Sequence, residues 1–184
     1  MLKWMIHRKL SEFERENGYD ASYMHEVLAT DFGAFLKFAR AAAIGSYRKD
    51  VPLDVYFAAG LTSSIHADCG PCTQLGIGFA LRSGVEAPEL ASIVAGDEAE
   101  MSDDVALGVR FARGVLAHDP KVALYREEIV RRWGPRAVLA LAFAIMAAQL
   151  YPTLKYALGY GEACKRGVVG GQTVTPRQVA AGAV

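Results

Sequence analysis

The sequence predicts an all-α, single-domain protein, and three observations carry that expectation. Apolar residues recur at helical spacing from Leu2 onward, and glycines, prolines and capping residues fall between the runs. No stretch alternates polar and apolar residues between turn-rich ends, as a half-buried strand would. Length agrees: 184 residues, 52% of them hydrophobic, make one generous domain. A chain of this size buries about 70% of the surface it exposes when unfolded, so it needs no covalent staples.

Each element has its own signal. Leu2, Met5, Ile6, Leu10 and Phe13 share one face of a first helix, which Gly18 stops. A second helix is expected from about Ser22 to Ile44, with Tyr23, Val27, Leu28, Phe35, Leu36 and Phe38 inward and Gly45 as terminator. Asp50-Val51-Pro52 begins a third, because proline is tolerated in a first turn, and this alanine-rich helix runs to about Ser64. Cys69-Gly70-Pro71-Cys72 opens an apolar helix that ends near Gly84, and Pro88 begins a short one closed by Gly96. Ser102 is an N-cap, with Asp103 and Asp104 at the positive end of a helix carrying Val105, Val109, Phe111 and Leu116 to about His118. Asp119-Pro120 repeats the cap-then-proline start, and Gly134-Pro135 separates that helix from the apolar run Ala137 to Leu150. Pro152 either kinks this run or starts a further helix that ends near Cys164-Lys165-Arg166. From Gly167 the helical rhythm is gone. The expected organisation is an all-α domain over residues 1–166 and a mobile tail over 167–184.

Charge and composition exclude several classes. Twenty basic residues balance twenty acidic ones. That argues against nucleic acid as a partner, which needs a surplus of Lys and Arg, and leaves little repulsion to oppose self-association. Three cysteines rule out a disulfide-rich secreted scaffold. The N-terminal segment lacks the continuous apolar core of a secretory signal. The run Ala137 to Leu150 falls short of the roughly twenty residues that span a bilayer. The expectation is a cytoplasmic protein with no membrane contact.

The chemistry concentrates at Cys69 and Cys72. Cysteines three apart on a helix share a face and can form a disulfide with little backbone movement. With Asp68 as N-cap, Cys69 would take the first helical position, where free amide groups and the helix dipole favour a thiolate. Cys69 is then the expected attacking sulfur and Cys72 the resolving one. The Asp68 carboxylate works against that thiolate, and His66 is the nearby imidazole that could offset it or accept a proton. Asp54 and Tyr56 could reach the site from the preceding helix. Zinc on His66, Cys69, Cys72 and distant Cys164 is a weaker alternative, since only one paired motif is visible. Cys164 is read as a bystander, and His7, His25 and His118 as solvated. Thr73 and Gln74 either bond near the sulfurs or face solvent. Gly76 and Gly78 suggest close approach of another helix, and Tyr151, Tyr156 and Tyr160 suggest core packing or a pocket wall.

Two resemblances meet at these residues. The tetrapeptide Cys69-Gly70-Pro71-Cys72 looks like the thioredoxin redox motif, but a helical pattern stands where that fold has its strand. From Pro52 to Gly84 the chain resembles the carboxymuconolactone decarboxylase or alkylhydroperoxidase-D-like family. The resemblance rests on an alanine-rich helix (YFAAGLTSS), the Cys69/Cys72 pair, a following apolar helix and the turn GVEAPEL. It implies an all-α fold, oligomers of this chain, and a redox-active cysteine pair that acts without metal or organic cofactor. Peroxidase members activate the second cysteine through a glutamate on the preceding helix and two histidines around that cysteine. Here those positions hold Phe57, Pro71 and Gly76, none of which moves a proton. The expected function is a thiol–disulfide or peroxide oxidoreductase acting through Cys69, Cys72 and His66, on a peroxide or disulfide, with a thiol reductant as partner. The alternatives are a non-catalytic oligomeric scaffold that binds a small apolar ligand or a protein, and a lactone decarboxylase-like enzyme.

Overall fold

Capping chemistry sets most helix limits. The computed structural model describes residues 1–162 and 167–177. Helix α1 (Leu2–Asn17) ends on Gly18, which takes the left-handed backbone that closes a helix. The single helix expected from Ser22 to Ile44 is divided: α2 (Ser22–Thr30) and α3 (Phe32–Ala42) meet at Asp31. Asp31 is extended, and its carboxylate accepts the Ala34 amide at 2.6 Å, so one residue ends a helix and caps the next. A 3₁₀ turn over Ala43–Ser46 follows. Then come α4 (Leu53–His66), α5 (Gly70–Arg82), α6 (Ala87–Ala95), α7 (Asp103–Ala117), α8 (Val122–Trp133) and α9 (Pro135–Ala157). Ser102 caps α7 as its sequence predicts, and His118 closes it in left-handed conformation. Pro152 neither ends α9 nor starts a new helix but lies buried within it.

Three further expectations change. The helix containing the run Ala137 to Leu150 has 23 residues, long and apolar enough to cross a membrane by length and composition. It packs on α4 and α8, with Leu139 and Met146 exposed. The segment from Gly167 pairs with itself: β1 (Gly167–Val169) and β2 (Gln172–Val174) form an antiparallel hairpin turned at Gly170-Gly171, where both glycines have positive φ. Val169 is buried, and the amide of Arg177 donates to the Val94 carbonyl, so residues 167–177 lie against α5 and α6 rather than forming a mobile tail. His7 and His25 are not merely solvated, since one Nδ1–H donates to the other Nδ1 at 2.6 Å and ties α1 to α2. Cys164 and residues 178–184 lie outside the described residues.

The apolar side chains form two clusters. The larger is centred on α4, which is buried nearly all round and packs against α7 and α9, as an alanine-rich helix without a polar face must. A buried polar knot joins α4 to α9: Ser63 donates to the Ile145 carbonyl at 2.9 Å, and Gln149 donates to the Ser63 carbonyl at 2.8 Å. The smaller cluster gathers Tyr19, Tyr23, Met24, Leu28 and Phe35, with Ile6, Leu10 and Phe13 of α1 and Tyr151 and Leu154 of α9 against it. The site lies where the two clusters meet.

Candidate redox site

Helix α4 ends at His66, and two residues later Asp68 adopts a left-handed backbone (φ 50°), an uncommon state that Asp tolerates better than most residues. This reverses the chain into α5. Asp68 therefore does not cap the helix. Cys69 does: its backbone is extended, and its Sγ accepts the Cys72 amide at 3.3 Å. Pro71 falls in the first turn, where its missing N–H costs little. Cys69 and Cys72 are joined as a disulfide, with Cα atoms 5.3 Å apart. Thr73 is buried and donates its hydroxyl to the Cys69 carbonyl at 3.0 Å, which fixes the turn from inside.

The two sulfurs face different surroundings. Cys69 is fully buried, whereas Cys72 is only partly buried and lines a cavity of about 460 Å³. This is the opposite of the exposure that an attacking Cys69 would need. The cause is the N-cap role, which turns the Cys69 side chain back over the first helical amides. The cavity lies at the seam of the two clusters. Leu10, Phe13, Tyr19, Tyr23 and Met24 contribute from the smaller cluster; Phe57, Gly60, Leu61 and Ser64 of α4 contribute from the larger one. Cys72, Leu75, Gly76 and Phe79 line it from α5, and Ala144, Ala147, Ala148 and Tyr151 from α9.

Polar groups around this space are few and uncharged. The Tyr56 hydroxyl donates to the Gly45 carbonyl, and the Tyr19 and Tyr23 hydroxyls bond each other at 3.2 Å. Burial pushes all four lining tyrosines, Tyr19, Tyr23, Tyr56 and Tyr151, above the ordinary phenol value, so they are neutral donors. Behind Tyr19 and Tyr23 lies Lys155, buried, with its Nζ 5.0 and 5.4 Å from the two ring centres. The ring faces attract that ammonium, while burial pushes its pKa down.

Of the residues expected at the site, Cys69 and Cys72 are brought together and His66 is not part of the cavity wall. The His66 side chain is exposed at the end of α4. Tyr56 reaches the cavity, but Asp54 instead bonds the Val55 amide and lines a separate small cleft. Gly76 allows close helix approach, since a Cβ there would lie 2.9 Å from Leu61 Cδ2, whereas at Gly78 the neighbour is Arg82 of the same helix. Gln74 bonds the hairpin in both directions, donating to the Val168 carbonyl at 3.0 Å and accepting its amide at 2.7 Å. Tyr156 donates to the Asp68 carbonyl, and Tyr160 bonds Glu26, so of that series only Tyr151 lines the cavity. Sequence reasoning missed Tyr19, Tyr23 and Gly60; an interior glycine in α4 with no cap to form was the one available signal. The fold and site together define an all-α protein with a helix-start disulfide on an apolar chamber. Compared with known proteins, the chain matches no family model, no curated protein and no solved structure.

Proposed function

We propose that the protein is a dithiol–disulfide oxidoreductase in which Cys72 is the reacting sulfur and Cys69 its resolving partner. One observation carries the reading: the disulfide spans a fully buried N-cap sulfur and a sulfur that opens on a cavity. In the reduced protein the Cys72 thiolate attacks the outer oxygen of a hydroperoxide. The O–O bond breaks, an alcohol leaves with a proton, and Cys72 carries a sulfenic acid. The Cys69 thiol then attacks that sulfur and water leaves, which closes the disulfide. An external dithiol returns two electrons and two protons: its thiolate attacks Cys72, Cys69 departs as a thiolate held by the Cys72 amide, and the dithiol's second sulfur then displaces Cys72 and leaves as a disulfide. Cys69 thus suits the leaving and resolving role better than the attacking one.

A second reading, a ligand-binding scaffold without turnover, is favoured by the chemistry of the wall. Phe57 and Gly76 line the cavity where the resembling family has proton-relay residues. A cyclic lactone acid is the poorer match, because no charged side chain among the described residues lines the chamber to receive a carboxylate. The test is to reduce the protein, add cumene hydroperoxide, and follow intact mass. Wild type should lose two protons; Cys69→Ser should stop with one oxygen added at Cys72, and Cys72→Ser should not react. If neither cysteine is oxidised under conditions that oxidise dithiothreitol, the redox reading fails.

A further inference from the structure

Gly60 lies within α4, where a glycine costs about 1 kcal/mol relative to alanine. Two ordinary reasons for such a glycine are absent here. Its backbone does not take positive φ, and a Cβ built on it meets nothing within 4 Å. Other helical glycines differ: a Cβ at Gly76 would strike Leu61, at Gly108 Val55 and at Gly114 Val122, each within 3 Å. What Gly60 does face is the cavity, which it lines together with Cys72. The missing side chain keeps that chamber open.

The wall describes what would fill it. At about 460 Å³ the chamber falls in the range of small-molecule sites. No Asp, Glu, Lys, Arg or His lines it among the described residues, so a charged ligand would be buried without a partner. Phe13, Phe57 and Phe79 offer ring faces and edges to a flat apolar body. The Tyr19 and Tyr23 hydroxyls share one hydrogen bond, while Tyr151 makes no hydrogen bond to a described residue. Tyr151 is left as a neutral donor at the wall.

We propose that this chamber binds a neutral, ring-bearing, mainly apolar small molecule with one hydrogen-bond-accepting oxygen, seated against Gly60 and anchored by the Tyr151 hydroxyl. A hydroperoxide borne on such a body is the substrate class for the redox reading, on which the inference rests only for what Cys72 does to that O–O bond once the molecule is bound. Prodan, a neutral naphthyl ketone whose emission shifts to the blue in apolar surroundings, is the probe. Wild type should bind one equivalent, with emission shifted blue. 2-Acetylnaphthalene should displace it, and 2-naphthoate, of similar shape but charged, should compete at least about tenfold less well. Gly60→Leu fills the space and should abolish binding, with Ala148→Leu as a second filling variant, each checked for native helix content. Tyr151→Phe should weaken binding about three- to tenfold, the net worth of one hydrogen bond. In reduced wild type, 2-acetylnaphthalene should slow alkylation of Cys72 by iodoacetamide. The inference is overturned if wild type does not bind the probe, if a folded filling variant binds as well as wild type, if the naphthoate competes equally, or if alkylation of Cys72 is unaffected. Binding by a wild-type protein whose cysteines do not cycle with peroxide would sink the redox reading and leave this one standing.

Discussion

The two sides of α4 treat glycine in opposite ways. Towards α7, a Cβ on Gly108 would come within 2.8 Å of the Val55 side chain and 3.2 Å of its carbonyl oxygen, so here glycine exists for contact. Towards the cavity, a Cβ on Gly60 would meet nothing within 4 Å, and glycine exists for space. The larger cluster is packed for stability, whereas its seam with the smaller cluster is left unfilled beside Cys72. A residue type alone does not separate these uses. Its neighbours do.

That contrast can be broken by substitution. Leu141, fully buried in the larger cluster, should cost about 2–5 kcal/mol as Leu141→Ala, through lost burial and a new void. Leu75→Ala on the cavity wall should cost less than half as much, because it enlarges a space already present. Urea unfolding midpoints decide between them, and equal losses would mean that the seam is packed like the core. Gly108→Ala should cost about 1–3 kcal/mol by overpacking against Val55. Ser63→Ala removes the hydroxyl that donates to the Ile145 carbonyl and accepts from Gln149 Nε2, and should cost about 1 kcal/mol. Gly60→Ala is the smallest effect and has the opposite sign: a gain of about 0.5–1 kcal/mol, since the methyl meets nothing and the helix propensity improves. A loss at Gly60 comparable with that at Gly108 would erase the distinction between the two sides.

The pH dependence sharpens the same comparison at the tyrosine-lined wall. Burial raises the pKa of Tyr19, Tyr23, Tyr56 and Tyr151 above the ordinary 10.0. Above that pH the unfolded chain has lost phenolic protons that the fold still holds, so their contribution is complete below pH 10 and falls away above it. Lys155 acts in the opposite sense. Its pKa is lowered by burial from 10.5, so the fold is relieved of a buried charge as pH rises towards that value. With four tyrosines against one lysine, stability should be nearly flat to about pH 9 and drop steeply above pH 10, and Tyr151→Phe should soften the drop. A urea midpoint that does not fall above pH 10 would contradict the burial of these hydroxyls.

Most helix limits were legible because caps and stops act locally: Gly18, Ser102, His118 and Gly134-Pro135 each mark a boundary. The break at Asp31 was also local but hidden by continuous apolar spacing on both sides. The hairpin had a signal too, Gly170-Gly171 between Val168-Val169 and Gln172-Thr173-Val174, but its strands are only three residues long. At the site, the pairing of Cys69 with Cys72 followed from spacing. Their order of exposure did not, because it depends on the left-handed turn at Asp68, which moves the N-cap one residue along. The cavity was illegible for a general reason. Its wall is assembled from six helices and the loops between them, and no local pattern reports an empty volume between elements far apart in sequence.

The central claim is that Cys72, not Cys69, is the sulfur through which chemistry enters. It is tested most directly by trapping a mixed disulfide. Reduced Cys69→Ser and Cys72→Ser are each mixed with 5,5′-dithiobis(2-nitrobenzoate) under native conditions. Because that reagent is charged, neutral 4,4′-dithiodipyridine is run in parallel, and the site is mapped by peptide mass. Attachment of 4-thiopyridine to Cys72 should be fast in Cys69→Ser, and reaction of Cys69 in Cys72→Ser should be slow until the fold is loosened with urea. Equal native rates, or a faster Cys69, would contradict the claim.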